Sequence, residues 1–419
     1  MRFGVVFVAF VVAGCSASAS SGPIQSHPSP TADTTATPGV TASSAAATFG
    51  WRRSGSVATS AELVGVAASP AGYVVLERLR IVWFSPDGLT WTKVTLPFET
   101  TTSSGVVVNA HANEIVGGPN GFIAIGGYTH PPCTTVQGDG GPPPCAVGPI
   151  SWSSNDGLTW RSSLSTPIPS DGSALPAYSE FALAWPAGDG WDAAIEARDS
   201  VLYHGDTLVH SKDGFRWVQL ESAPLPEGAA SGDDIYAHGG VAAPNGRRVL
   251  WQVRDKAAPT HSWLSTTSDG SSWTTVPTFD GRGAFVRLAL GPADGRDGPW
   301  LLAGDQVAGN SQAGATWFTD DLATWFTSPL TVRDGSTTRA TGLERWKGTY
   351  LAVGVSEPIN AGSIPVTWLS PDGLTWSEVA GSTPSPVDGP VYVVAGPAGL
   401  LGVGTTADTG AALWFGAGG

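Results

Sequence analysis

Along this chain, apolar runs recur as pairs split by a turn. Seven times an apolar run meets small residues, a turn signal, a glycine and a second apolar run: "VGVAASPAGYVVLE", "IVGGPNGFIAIGG", "LAWPAGDGWDAAIE", "HGGVAAPNGRRVLWQV", "LALGPADGRDGPWLLAG", "GLERWKGTYLAVG" and "VVAGPAGLLGVG". Each reads as two short strands joined by a tight turn, with glycine supplying the positive φ. An aromatic-rich third strand follows, carrying Trp83, Trp152, Trp263, Trp317 and Trp368, with Val209 in the third unit. A polar phrase closed by a tryptophan comes next. It occurs six times: SPDGLTW, SNDGLTW, SKDGFRW, TSDGSSW, TDDLATW and SPDGLTW again. Its aspartates are Asp87, Asp156, Asp213, Asp269, Asp321 and Asp372, spaced by 69, 57, 56, 52 and 51 residues.

Four short strands in about 50 residues is the size and content of a β-propeller blade. The expected fold is therefore all-β, a seven-bladed β-propeller of four-stranded blades. The seventh unit ends in "ALWFGAGG", with Trp414 in the place of Trp83 and no fourth strand after it. The missing strand is found at the other end, where "TFGWRRSG" around Trp51 is similar to "GLTWRSS" at 157–163. The N-terminal strand is thus expected to pair in the last blade and close the ring, which protects sheet edges from aggregation.

The polar phrase has a structural explanation. Its Asp, and the Ser or Thr two residues earlier, sit in the turn between the third and fourth strands. Their side chains can accept turn N–H groups that would otherwise be unpaired. The closing Trp is expected to fill the seam between blades. Thirteen of the 18 tryptophans fall at the two repeat positions, so each blade needs the same staple.

The N-terminus has another pattern. Arg2 precedes an apolar run, Phe3 to Val12, too short to span a bilayer. The following V-A-G-C resembles a bacterial lipobox. That resemblance implies a signal peptide over 1–14, lipidation of Cys15, and anchoring to the outer face of the cell membrane. Residues 16–47 are almost wholly Ser, Thr, Ala, Pro and Gly. With Cys15 they form an expected lipid-bearing tether (15–47) that cannot bury enough apolar surface to order itself. The propeller is expected over 48–419.

Lysine is rare, the formal charge is −14, and no basic cluster occurs, which excludes nucleic acid as a partner. A monomer is expected. Cys133 and Cys145 share a Pro/Gly-rich loop and, in an exported chain, read as a disulfide. They lack the close spacing of a zinc site, so neither metal nor other cofactor is expected.

Six copies of the phrase resemble Asp-box, or BNR, repeats, a pattern of the sialidase-like superfamily also seen in xyloglucanases, sortilin-type receptors and photosystem II assembly factors. Here the Gly directly follows the Asp, TDDLATW lacks the Gly, and the seventh unit lacks the Asp. The resemblance implies the fold and transfers no chemistry. Sialidases carry an arginine triad, a Tyr–Glu pair and an F/Y-R-I-P motif; no such motif occurs here.

Ligand sites on propellers gather on the face opposite these turns, around the central channel. The candidates there are Tyr128, His130, Arg198, Asp199, Tyr203, His204, Arg254 and Asp255, a groove suited to a glycan or a peptide. His111, Asn113, Arg287 and Arg339 fall on segments leading into blades. A hydrolase needs two carboxylates about 5–9 Å apart, and Glu114, Glu180 and Asp234 are the catalytic candidates. Serine-nucleophile, zinc-protease and nucleotide-binding motifs are absent. The expectation is thus a membrane-anchored, non-catalytic module that binds or assembles a glycan, peptide or envelope protein. The alternative is a glycoside hydrolase using channel-facing carboxylates.

Overall fold

The computed structural model describes residues 49–55, 63–77, 80–98, 109–130, 146–164, 168–173, 175, 179–197, 207–220, 235–254, 260–292, 298–308, 311–358, 362–379, 389–405 and 412–417. All lie in one compact unit, 47–419. They form 28 strands in seven four-stranded antiparallel sheets, with no helix among the described residues. The innermost strands are Leu63–Ser69, Asn109–Gly118, Ser179–Ala187, Tyr236–Ala242, Ala284–Leu290, Thr337–Trp346 and Gly389–Gly396. Each touches the next, and the seventh touches the first, so the sheets form a closed seven-bladed propeller.

Closure follows the expected route. Gly50–Gly55 is the outermost strand of blade seven, paired with Ala412–Ala417 so that Trp51 faces Gly416 and Arg53 faces Trp414. Trp51 Nε1 also donates to Thr367 Oγ1 of blade six, at 2.9 Å.

The core sits in the seams. Seven hydrophobic clusters occur among the described residues, each built from two neighbouring blades. This explains why the second strands are mostly apolar. In Gly72–Glu77, Val74 and Leu76 point into the seam with blade two, while Tyr73 and Val75 point into the seam with blade seven. A strand buried on both faces has no polar side to alternate with.

The repeated turn works as its sequence implies. Ser154 Oγ accepts from Gly157 N–H at 2.8 Å and contacts Asp156 Oδ1 at 3.1 Å. That Asp156 oxygen accepts from Leu158 and Thr159 N–H at 2.8 and 2.7 Å. The carboxylate contacts recur in all six copies. In the fifth, Leu322 takes the glycine's place at φ 58°, a left-handed conformation costly for a branched side chain.

A further regularity has no counterpart in the repeated phrases. Every innermost strand carries a β-bulge at the same level, leaving Val64, Asn113, Ala182, His238, Arg287, Thr341 and Val391 unmatched in the ladder. In four blades the residue across from the bulge is Gly126, Gly304, Gly354 or Gly404, where a Cβ would collide with the carbonyl of the bulged strand. The bulge bends each inner strand toward the axis and re-aims the side chains beside it.

Candidate active site

An innermost strand is paired on one side only, so backbone groups it does not share with the second strand face the axial channel. Ala184 N–H is such a group, on the inner strand of blade three. It donates to Oε2 of Glu114, from blade two, at 2.8 Å. The Glu114 carboxyl is therefore in the channel wall. It is half-buried, set deep in the ring yet open to the channel. Burial pushes its pKa from 4.5 up to about 7, with the Ala184 N–H opposing the rise.

Three residues earlier on the same strand, His111 Nε2 lies 4.0 Å from Oε2 of Glu180, on the inner strand of blade three. Glu180 is buried at 3% exposure. The missing side chain of Gly127 makes room for it, because a Cβ there would stand 2.7 Å from that same oxygen. Two expected catalytic candidates, Glu114 and Glu180, are thus brought to one pair of facing inner strands, with His111 on the strand of Glu114 and against Glu180. Asp234 lies outside the described residues.

Of the expected eight-residue groove, Tyr128, His130 and Arg254 fall among the described residues. Tyr128 ends the inner part of the second strand of blade two, half-buried, its phenol pKa raised by burial. Arg254 is on blade four, its guanidinium 5.6 Å from the Trp263 ring, which stacks on His261 at 4.1 Å. Blade three separates the two. The pKa of His261 is lowered by burial first and by the charges of Arg254 and Arg282 next. His130 is described only through its backbone pairing with Ala146. Arg198, Asp199, Tyr203, His204 and Asp255, like Cys15, Cys133 and Cys145, lie outside the described residues.

Three features escape a reading of the sequence. Glu344, on the inner strand of blade six, is a second channel carboxyl: burial pushes it up to about 8 against bonds from the Ala395 and Arg345 N–H groups. The bulge residue Arg287 pairs with the fully buried Asp305 at 2.7 Å and lies 4.3 Å over the Phe285 ring. Gln312 donates to the same Asp305 oxygen at 2.7 Å. Burial raises the Asp305 pKa, and Arg287 opposes it.

The third is a ring of residues directly following the bulges: Gly65, Glu114, Leu183, Gly239, Leu288, Gly342 and Tyr392. Three of the seven are glycines, and a Cβ there would meet Ile115, Trp251, or Val353 and Val393, so neighbouring side chains already fill the space. The only sequence signal for this ring is the glycine opposite the bulge. No group of residues suited to a metal ion occurs among the described residues.

A half-buried carboxyl that is neutral close to pH 7 can donate a proton, and a second carboxylate across a gap can hold a water or a cation-like sugar.

No protein-family profile matches the chain, and no curated protein sequence matches it. Among solved structures it is similar to a Trypanosoma rangeli sialidase, at 11% identity and TM-score 0.43, covering 77% of this chain and 55% of that one. It is also similar to an α-L-arabinofuranosidase from Fusarium graminearum, at 12% identity and TM-score 0.40, covering 70% and 89%. A Penicillium chrysogenum α-L-arabinanase matches at 15% identity and TM-score 0.36, covering 51% and 72%. These likenesses concern the fold. All three are glycoside hydrolases, and the expectation of a non-catalytic binding or assembly module is corrected accordingly. That expectation rested on the lipobox-like N-terminus, the tether, the acidic charge and the lack of a catalytic motif in the linear sequence. A constellation built from single residues on separate blades leaves no such motif.

Proposed function

We propose that this chain is a glycoside hydrolase whose site is the axial channel between blades two and three. The observation that carries the reading is the Glu114 carboxyl, held in the channel wall with a pKa of about 7. Its Oε2 is occupied by Ala184 N–H, so Oε1 carries the proton in the neutral form. Glu114 acts as general acid on the glycosidic oxygen. Glu180 is its partner carboxyl, with His111 Nε2 4.0 Å from its Oε2.

The six hydrogen-bonded turns are read as Asp boxes of the BNR type, and the enzyme as a lipoprotein held by Cys15 outside the cell membrane on its 15–47 tether. Both rest on the sequence patterns alone. The test is hydrolysis of a panel of fluorogenic pentosides, hexosides and sialosides by the purified 48–419 domain. Turnover of at least one, lost in Glu114→Gln, is expected. Absence of turnover across the panel, or full turnover by the variant, overturns the reading.

A further inference from the structure

One position recurs three residues before each turn aspartate, and directly after Trp414 in blade seven. Five of the seven blades fill it with a large side chain: Phe84, His210, Phe318, Leu369 and Phe415. Three of these pack beneath the turn of the next blade, since a Cβ on Gly157, Gly373 or Gly88 would stand 2.1, 2.8 or 3.0 Å from the rings of Phe84, Phe318 and Phe415. Blades two and four carry a hydroxyl residue there instead, Ser153 and Thr266. Each lines an open cleft on the outer part of its blade, of about 390 Å³ in blade two and about 320 Å³ in blade four.

The two clefts are built alike from different parts of the chain. In blade two Arg161, on the outermost strand, donates from Nε to Ser153 Oγ at 3.0 Å. In blade four Arg247, from the turn before the second strand, donates from Nε to Thr266 Oγ1 at 3.3 Å. A guanidinium is thus pinned to the same hydroxyl position in both. The sequence repeat does not carry it, because the residue paired with Thr266 where Arg161 pairs with Ser153 is Thr274. Exposed Asn155 and Thr159 also line the first cleft, and Ser268 and Ser272 stand at the matching places in the second.

Charge decides the class of ligand. Asp156 lines the cleft of blade two, and Arg161 Nη2 is 3.6 Å from Asp213 Oδ2. An anion would meet a carboxylate there. Both clefts offer hydroxyl, amide and guanidinium groups close together, with donors and acceptors mixed. The adjacent hydroxyls of a neutral sugar match that set, since each donates and accepts. The volumes fall at the lower end of the range for ligand clefts, about 300–1,000 Å³, which suits one or two sugar rings.

We infer that the outer clefts of blades two and four are paired, non-catalytic binding sites for a neutral polysaccharide, each holding a short stretch of one strand. Two sites on one polymer raise its affinity well above that of a fragment that reaches only one. The clefts are on the third and fourth strands, away from the axial channel, so the inference does not rest on the hydrolase reading.

The experiment is affinity electrophoresis of the 48–419 protein in gels containing arabinan, xylan, galactan or mannan. The protein carries Glu114→Gln, so that the polymer stays intact. At least one polymer is expected to retard it. Arg161→Ala and Arg247→Ala should each weaken that binding about 10-fold, the scale of one hydrogen bond to a charged group. Ser153→Phe, which gives blade two the ring found in blades one, five and seven, should match Arg161→Ala. A trisaccharide of the same polymer, titrated calorimetrically, should bind at least about 100-fold more weakly. Absence of retardation by all four polymers overturns the inference, as does retardation unchanged in the Arg161→Ala, Arg247→Ala double variant, or a trisaccharide bound as tightly as the polymer. With Glu114 intact, turnover of small fluorogenic glycosides should be unchanged by the double variant, and its loss would also overturn the inference. Polymer binding that needs both arginines, without turnover by the unmodified domain, keeps the inference and sinks the hydrolase reading.

Discussion

Trp51 and Thr367 are 316 residues apart in sequence, and the indole N–H of one donates to the hydroxyl of the other across the seam between blades seven and six. The same bond recurs between blades three and two, from Trp217 Nε1 to Ser151 Oγ at 2.9 Å. Each hydroxyl directly precedes the tryptophan of a third strand, Trp368 or Trp152. The closing tryptophan of one blade is therefore a peg in the preceding one, and in blade seven that peg comes from the start of the folded unit.

Removing the peg at the closure should loosen the whole ring. Trp51 is 3% exposed and packs edge-on against Phe49. Trp51→Ala is expected to cost about 3–5 kcal/mol, the range for emptying a buried tryptophan site. Thr367→Val, which keeps the shape and strands only the indole N–H, should cost about 1–2 kcal/mol. Urea unfolding followed by tryptophan fluorescence measures both. Equal costs would mean that the bond, not the packing, closes the ring.

The repeated turns can be probed through a buried hydroxyl. Ser154 is 4% exposed and is the acceptor for Gly157 N–H. Ser154→Ala leaves that N–H buried without its partner and should cost about 1–3 kcal/mol. Thermal unfolding of the variant gives the value, and a change near zero would show that the turn holds without the hydroxyl.

The charged groups predict opposite pH limbs. Asp87, Asp156, Asp213, Asp269, Asp321 and Asp372 all have pKa values below the ordinary 3.8. Turn N–H bonds are the cause that outweighs burial. A depressed folded pKa means the unfolded chain takes up protons first. The stability these groups contribute is full above about pH 4 and is lost as pH falls below it. Glu114 and Glu344 act in the other direction. Their folded pKa values, about 7 and about 8, exceed the ordinary 4.5, so their contribution is full below pH 4.5 and is lost as pH rises through 7 and 8. Chemical denaturation at pH 3, 5, 7 and 9 should show both limbs. Combining Glu114→Gln with Glu344→Gln should flatten the alkaline limb and leave the acid limb in place.

The Arg287–Asp305 pair is a one-sided vulnerability. Arg287→Ala strands a fully buried carboxylate and should cost about 3–5 kcal/mol at neutral pH. Because protonation relieves an unpaired carboxylate, the loss should shrink as pH falls. A loss independent of pH between 4 and 8 would contradict the assignment of charge to Asp305.

The ring is legible in the sequence because each blade solves the same problem in the same words. Six turns need Asp and Ser or Thr at fixed offsets, and seven seams need indoles. The fourth strand missing after Trp414 and the spare strand around Trp51 are both visible in the letters, and they match. The channel is not legible in that way. Glu344 is one acidic letter in "GLERW", and nothing around it marks a carboxyl facing an axis. Its burial and that of Glu114 depend on which backbone N–H the next blade turns inward. The one readable sign is the glycine near the end of several second strands, as in Gly126 and Gly354, which a bulged carbonyl requires. Of the expected groove, Tyr128 is on blade two and Arg254 on blade four, and the blade-three residues expected between them lie outside the described residues.

The most direct test of the account is the pH dependence of kcat/KM for the fluorogenic glycoside turned over best, measured on the unmodified domain and on Glu114→Gln. A general acid must be protonated to act, so activity should fall as pH rises through about 7, the pKa of the Glu114 carboxyl. The variant should lose about 10²- to 10⁴-fold in rate, and its residual activity should lack that alkaline limb. An alkaline limb near pH 7 that survives Glu114→Gln, with rate unchanged, would place the acid on another residue and contradict the claim.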